Sequence, residues 1–412
     1  MTPPSPFHTP PSLAIVGAST RSAAASAVRA GFKPIAADLF ADADLRRIAT
    51  ATRISPYPEG FVDWLRAVEP PAWMYTGALE NHPELIDQMA WIAPLWGNPG
   101  DVLARVRSPW ELSNALAAAG LLFPETRATP AGLPLDGSWL AKTYHGASGS
   151  GVRAWGEEPG ARSEERVDSL RAPSSLLPAC CQRRITGTPC AAVFVAAGGT
   201  ATLLGVTRQL IGEAWLSAHG FQYAGSIGPW PIADGTQATL VRLGNVLAER
   251  FELMGLFGVD FILAGEEVWT LEVNPRYTAS VEIVERFSGT SAIAAHAAAC
   301  GSQPSTQRAG ASPPPIGAED GPARAQSRAC GKATLFARRD LVLSEPFYEH
   351  AMTEALRTPW PMLADVSPAG TPIETGRPIL TIFAAANSVD AVESRLRERV
   401  SEMEQFIDRT SC

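Results

Sequence analysis

The chain has 412 residues, 46% of them hydrophobic and 18% charged, enough apolar material to bury two or three cores and so to build a multi-lobed enzyme. Its net charge of -8 argues against a partner gripped through a phosphate backbone, so nucleic acid is excluded as a general ligand. Six cysteines, at 180, 181, 190, 300, 330 and 412, show neither C-x-x-C pairs nor zinc spacing, and six histidines form no H-x-x-x-H pair. The proline-rich start lacks an apolar secretory core, so the reading is a cytoplasmic protein with reduced thiols and no membrane.

Residues 1–10 read as a flexible start. Ser12 to Ser19 reads as a buried strand running into a turn at Gly17, Arg21 to Ala30 as an alanine-rich helix, and Lys33 to Asp38 as a second strand. Residues 11–100 are therefore expected to form an open α/β domain. Asp38, Asp42 and Asp44 read as a solvated loop, with substrate contact as the alternative. Pro109 to Gly120 has Trp110, Leu112, Leu116 and Ala119 at helical spacing, a core stripe that stops at Gly120.

Trp139 to Lys142 reads as a short strand ending in a lysine, followed by a glycine- and serine-rich loop containing His145, Gly146, Ser148, Gly149 and Gly151. Glycines let backbone N–H groups approach an oxyanion and the lysine adds a point charge, so this composition fits a phosphate-covering loop. A flexible hairpin tip is the alternative, and neither a P-loop nor a dinucleotide fingerprint fits. Residues 156–173 are charged and read as an insertion near this loop. Ala191 to Thr207 is uncharged for seventeen residues, but Ala197-Gly198-Gly199-Thr200 breaks it into a hairpin rather than a membrane span.

The most informative segment is Val259 to Arg276. Phe261 to Leu263 reads as one strand, Ala264 to Glu267 as a turn and Val268 to Val273 as the returning strand. Glu272 and Asn274, two apart, then share a face with Asp260 nearby. Two carboxylates and an amide carbonyl are the protein share of a magnesium shell whose other ligands are water and phosphate. Residues 302–328 are rich in Pro, Gly, Ala, Ser and Gln and read as a linker or insertion. Beyond them, Lys332 to Ala337 and Pro378 to Ala384 read as strands and Val389 to Ile407 as a charged helix, a small α+β unit over residues 329–412.

Taken in order, Lys142, the glycine loop, Gln182-Arg183-Arg184-Ile185, Asp260 and Glu272-Val273-Asn274-Pro275-Arg276 resemble the ATP-grasp superfamily, closest to its carboxylate-amine ligases and biotin-carboxylase-like members. The resemblance covers about residues 11–301. It implies a fold of α/β and α+β parts: an open α/β domain, two ATP-clamping lobes over residues 101–301, and the C-terminal unit completing the module. It also implies ATP and Mg²⁺ as cofactors. Lys142 and an early basic residue, Arg107 in preference to Arg105, would contact phosphates, with His145, Gly146, Ser148, Gly149 and Gly151 closing over them. Gln182, Arg183 and Ile185 would form the hinge that reads adenine, and Asp260, Glu272 and Asn274 would hold Mg²⁺. Arg276 would face the transferred phosphoryl group or the substrate carboxylate, where a planar fork of donors suits an anion.

Arg208 and the run Tyr223 to Pro229 resemble the family's substrate-side wall, the arginine set to neutralise phosphate and the glycines to shape an acceptor pocket or a turn. Glu282 is a candidate general base only in that some relatives place an acid shortly after the arginine, and here it is displaced; a helix-surface carboxylate is the preferred reading. The hinge departs from the family by lacking its acidic residue for ribose: Gln182 and Arg183 stand there, with Pro189 and Cys190 beyond. The implied activity is an ADP-forming ligase that activates a small carboxylate as an acylphosphate for an amine, with a homodimer left open. A bicarbonate-activating carboxylase is the alternative within the family, lowered by the lack of a Met-Lys-Met segment. A nucleotide-binding module without catalysis is the alternative outside it, and the intact magnesium set argues against that. Some relatives act in one-carbon cofactor synthesis, tyramine–glutamate ligation among them, which is a hint about pathway only.

Overall fold

The computed structural model describes residues 10–143, 146, 148–156, 180–301 and 329–410. The linker expected over 302–328, most of the insertion expected over 156–173 and His145 lie outside them. The chain opens with β1 (Ser12–Val16), α1 (Arg21–Arg29), β2 (Lys33–Asp38), α2 (Ala43–Ile48), β3 (Thr50–Arg53), α3 (Gly60–Val68) and β4 (Trp73–Tyr75), whose strands form a parallel sheet in the order β3-β2-β1-β4. The unbroken apolar run of β1 follows from having both faces covered. Leu13 and Ile15 pack under Ala23, Ala24 and Ala27 of α1, while Ala14 and Val16 join Phe61, Leu65 and Trp73 on the opposite side.

Three helices follow: α4 (Pro83–Ala90), α5 (Gly100–Val106) and α6 (Pro109–Ala118). The start of α6 is set by its sequence: the Ser108 hydroxyl accepts the Glu111 N–H at 3.3 Å and Pro109 takes the first turn, where no donor is needed. Leu112 and Leu116 are buried as expected, but Trp110 is 36% exposed, so the core stripe is narrower than its spacing implies.

A small antiparallel sheet follows, made of β5 (Thr126–Arg127), β6 (Trp139–Lys142), β7 (Val152–Ala154) and β8 (Cys180–Arg183) in the order β5-β8-β6-β7. Next come β9 (Thr188–Ala197), β10 (Thr200–Ile211), β11 (Tyr223–Gly228), α7 (Asp234–Phe251), β12 (Gly255–Ala264), β13 (Glu267–Asn274), α8 (Val281–Ser288) and α9 (Ala292–Gly301). β9 and β10 form the expected hairpin, with Gly198 and Gly199 at positive φ in its two-residue turn. The run from Tyr223 is strand β11, not the turn considered from sequence.

The last elements are β14 (Ala329–Phe336), β15 (Leu341–Val342), α10 (Glu345–Ala355), β16 (Leu363–Ala364), β17 (Pro372–Ile373), β18 (Pro378–Ala386) and α11 (Val389–Thr410). β14, β18 and β16 join β9 to β13 in one large sheet of order β13-β12-β9-β10-β11-β14-β18-β16, while β15 and β17 pair separately. Val392, Leu396, Val400, Met403 and Ile407 recur at three- and four-residue steps and bury the α11 stripe against it. Among the described residues no helix is long and apolar enough to cross a membrane.

A buried charge junction ties these parts together. Glu282, on α8, is fully buried and not on a helix surface as expected. Arg21 of α1 donates to both its oxygens at 2.6 and 3.0 Å, and Lys332 of β14 approaches at 3.4 Å. Burial pulls the Glu282 carboxyl upward, but the charges of Arg21 and Lys332 outweigh it and hold the group far below the usual range. Arg21 also donates to Asp365 at 3.0 Å.

The acids expected in a solvated loop are buried beside this junction. Asp38 accepts the N–H and hydroxyl of Thr20 at 2.9 and 2.8 Å, and Asp44 accepts the N–H groups of Asp365 and Val366 at 3.0 and 3.1 Å. Burial, with Asp365 and Asp44 adding to it, pushes the Asp42 carboxyl up to about 8.

Removing one partner of a buried cluster leaves the others charged and unpaired. Glu282→Gln is therefore expected to lower the unfolding free energy by about 3–5 kcal/mol, read from urea titrations. Arg66→Ala, which breaks the exposed Arg66–Asp63 pair, is expected to cost under about 1 kcal/mol. Equal shifts for the two would remove the junction from its central place.

Candidate active site

β12 and β13 are joined by a two-residue turn in which Gly265 takes positive φ, and their ladder sets Asp260 directly opposite Glu272 and Gly258 opposite Asn274. Opposed residues share a face, so Asp260, Glu272 and Asn274 converge on one side while Val259, Phe261 and Val273 enter the core on the other. The ladder shifts between Asp260 and Phe261, leaving Leu271 as a one-residue bulge. Val268, Thr270 and Val273 are buried although no single alternation contains all three. The extra residue reconciles them and keeps Glu272 outward.

The amide Nδ2 of Asn274 donates to Asp260 Oδ2 at 3.1 Å and reaches Glu272 Oε1 at 3.4 Å, and Gln209 Nε2 donates to Asp260 Oδ1 at 2.9 Å. Burial and the adjacent Glu272 push the Asp260 carboxyl up. Glu272 is exposed; desolvation by its neighbours acts in the same upward sense, but the charges of Lys142 and Arg107 prevail and hold it low. Two carboxylates that cannot both ionise cheaply, with an amide N–H directed between them, are a donor set that a hard divalent cation relieves. The residues therefore fit Mg²⁺, with Asp260 and Glu272 as ligands and Asn274 able to turn its carbonyl oxygen inward.

Lys142 ends β6 and faces this hairpin from the smaller sheet. Its Nζ donates to Gln182 Oε1 at 3.0 Å, and Gln182 Nε2 donates to Thr126 at 3.3 Å. Among the described residues, the lysine's hydrogen-bond partner is thus a neutral amide. Arg183 is exposed and Ile185 half-buried. The N–H groups of Arg183 and Arg184 are engaged by Glu125 O at 2.8 Å and Ser138 O at 2.9 Å. Two of the N–H groups of the expected hinge are thus taken, and β8 itself is paired on both sides, by β5 and β6.

The described part of the glycine loop is tightly folded. Gly149 has φ +82°, and a Cβ there would lie 1.8 Å from the Phe221 carbonyl oxygen, while a Cβ on Gly151 would lie 2.1 Å from Thr143 Oγ1. Gly146 packs on Gly151, and Ser148 O accepts the Tyr223 N–H at 3.1 Å. The loop therefore rests on the start of β11.

Arg276 and Arg107 meet on a short turn that sequence reading did not single out, Leu79–Asn81. Arg276 Nε donates to Glu80 Oε1 at 2.7 Å and its Nη2 donates to Asn274 Oδ1 at 3.1 Å. Arg107 donates to Glu80 O at 2.6 Å and Asn81 Oδ1 at 2.8 Å. The turn before Arg276 is pinned as well: Tyr75 and Asn98 both donate to Pro275 O, at 3.3 and 3.0 Å. Burial would lower the Arg276 guanidinium, but Glu80 outweighs it and keeps it charged. Arg208, by contrast, is committed to Glu393 of α11 at 2.8 Å. Glu282, saturated by cations, has no capacity to act as a base.

The model of the ATP-grasp domain family matches residues 106–280. Among solved structures, the L-amino acid ligase from Bacillus licheniformis superposes with TM-score 0.64 at 16% identity, over 96% of this chain and 98% of that one. The biotin carboxylase domain of the 2-oxoglutarate carboxylase from Hydrogenobacter thermophilus, with MgADP, ADP and bicarbonate, gives 0.67 at 11% identity, over 95% and 90%. The N5-carboxyaminoimidazole synthetase from Staphylococcus aureus, complexed with ADP, gives 0.63 at 14%, over 95% and 97%. Residues 106–280 thus match the ATP-grasp domain family, and the chain shares the fold of these solved structures.

Proposed function

We propose that the protein is an ATP- and Mg²⁺-dependent ligase that activates a carboxylate as an acylphosphate and joins it to an amine. The observation that carries this reading is the pairing of Asp260 with Glu272 on one sheet, facing Lys142 on the other, with Arg276 alongside. The similarity to an L-amino acid ligase and to proteins crystallised with ADP supports it.

In this reading Asp260, Glu272 and Asn274 hold Mg²⁺, which when bound supplies positive charge to the phosphates. Lys142 and Arg107 contact the phosphate chain, and Gly146, Ser148, Gly149 and Gly151 offer backbone N–H groups to it. Gln182, Arg183 and Ile185 flank the base; His145 belongs to the same loop. A substrate carboxylate oxygen attacks the γ-phosphorus and ADP leaves. The amine then attacks the acyl carbon, phosphate departs, and the amine loses a proton. Arg276 stabilises charge on the moving phosphoryl group through its planar fork. The chain's contribution is therefore position and charge rather than a dedicated base.

The deciding assay is ATP consumption with Mg²⁺ over a panel of carboxylates, amines and bicarbonate, with ADP and AMP separated by chromatography. Acceptor-dependent ADP formation, reduced at least about 100-fold in Glu272→Gln, is the expected result. Bicarbonate-dependent turnover without an amine would instead identify the carboxylase, and AMP formation would overturn the acylphosphate route.

Metal binding should also depend on pH. Because the cation needs ionised carboxylates and Asp260 is pushed up to about 8, a proton must be displaced at pH 7. Mg²⁺ affinity is expected to rise with pH and level off above about 8. Calorimetry in buffers of different ionisation enthalpy checks this, since proton release makes the apparent heat buffer-dependent; a buffer-independent heat would contradict it.

A further inference from the structure

We infer that Glu80 is a positioning residue for the ligase reaction, setting where Arg276 delivers its charge; this rests on the ligase reading above. Glu80 stands on the Leu79–Asn81 turn of the opening domain and is only 5% exposed. Its Oε1 alone takes both Nε and Nη2 of Arg276, at 2.7 and 2.6 Å. The fork's other contacts are Asn274 Oδ1 of the carboxylate hairpin, which accepts from Nη2 at 3.1 Å, and the Tyr277 carbonyl, which accepts from Nη1 at 3.2 Å. Arg276 is thus suspended between the turn and the candidate metal ligands, with its guanidinium laid over Gly77 at a distance where a Cβ would touch it, 3.5 Å.

The same turn fixes the second arginine, because the Glu80 carbonyl and the Asn81 side chain accept both Nη groups of Arg107. One three-residue turn therefore sets the spacing between the two arginines aimed at the phosphates. The other carboxylate oxygen, Oε2, is buried with no hydrogen-bond partner. A buried acceptor left unmade costs about 1–3 kcal/mol, and a buried ion pair is a weak device for stability. The carboxylate is poorly explained as packing. As an anchor that fixes the direction of a five-donor fork it is explained, because misplacing a charge by about 1 Å costs on the order of 100-fold in rate.

The test is a double-mutant cycle on the full chain with Glu80→Ala, Glu80→Gln, Arg276→Lys and Glu80→Ala/Arg276→Lys. Three readouts are taken: kcat and KM for ADP formation, thermal midpoint, and the affinity for adenylyl imidodiphosphate relative to ADP. Glu80→Ala is expected to lower kcat by about 100-fold with little change in KM, and to erase the preference for the three-phosphate analogue. Glu80→Gln keeps an acceptor of the same length and should recover about a tenth of the wild-type rate. The double variant should be no worse than Arg276→Lys alone, because the two residues act as one unit.

Multiplied rather than shared losses would overturn the inference. So would a Glu80→Ala enzyme that retains kcat and analogue preference, or rate losses that only follow the thermal midpoint. If Glu80→Ala does not fold, Glu80→Gln and its double with Arg276→Lys carry the cycle. A normal Glu80 variant beside an impaired Arg276→Lys sinks this inference and leaves the ligase reading standing. A wild-type protein that neither turns over ATP nor prefers the analogue sinks both.

Discussion

The fold depends on burying Glu282 together with the cations that make its burial tolerable. Arg21 comes from the first helix, Lys332 from a strand more than three hundred residues later, and Glu282 from the helix that follows the carboxylate hairpin. None of these charges could be buried alone, so each segment can adopt its place only if the others do. The aromatic side chains extend the constraint. Arg286, one helical turn beyond Glu282, lies 3.6 Å from the Phe383 ring centroid and 5.0 Å from that of Trp360, and Arg29 covers Trp360 at 4.0 Å. Because α8 begins a few residues after Arg276, fixing the helix fixes the turn that presents the arginine.

Across the cleft, charge is distributed unevenly. The hairpin side carries two carboxylates, and the smaller sheet offers Lys142 with a neutral amide as its hydrogen-bond partner among the described residues. An acid in place of Gln182 would have bound that lysine tightly. As built, the lysine's field extends to Glu272 and helps keep it ionised.

Local features of the chain were readable because they are written in short spans. The Gly198-Gly199 and Gly265-Glu266 turns, the uninterrupted apolar run of β1 and the i, i+2 relation of Glu272 and Asn274 each follow from backbone preference or strand period. What was missed depends on partners far away. Nothing around Glu80 marks it as the anchor of an arginine 196 positions later, and Asp38 and Asp44 read as solvated because their partners Thr20 and Val366 come from other parts of the chain. Glu282 was misread for the same reason: a helical acid looks exposed until its cations are placed. Arg208 had the right charge and order for phosphate but the wrong neighbour, Glu393.

The bulge at Leu271 separates counting from geometry. Asp260 and Glu272 face one another because of strand register, and one residue between them contributes nothing to the pairing. A hairpin without that residue would hold the same two carboxylates together at a linear interval one shorter, with the same alternation on either side. Patterns that demand a fixed number of positions between the ligands would therefore separate chains whose sites are equivalent. For this class of hairpin, relatives are better recognised by which residues stand opposite each other than by how many lie between them.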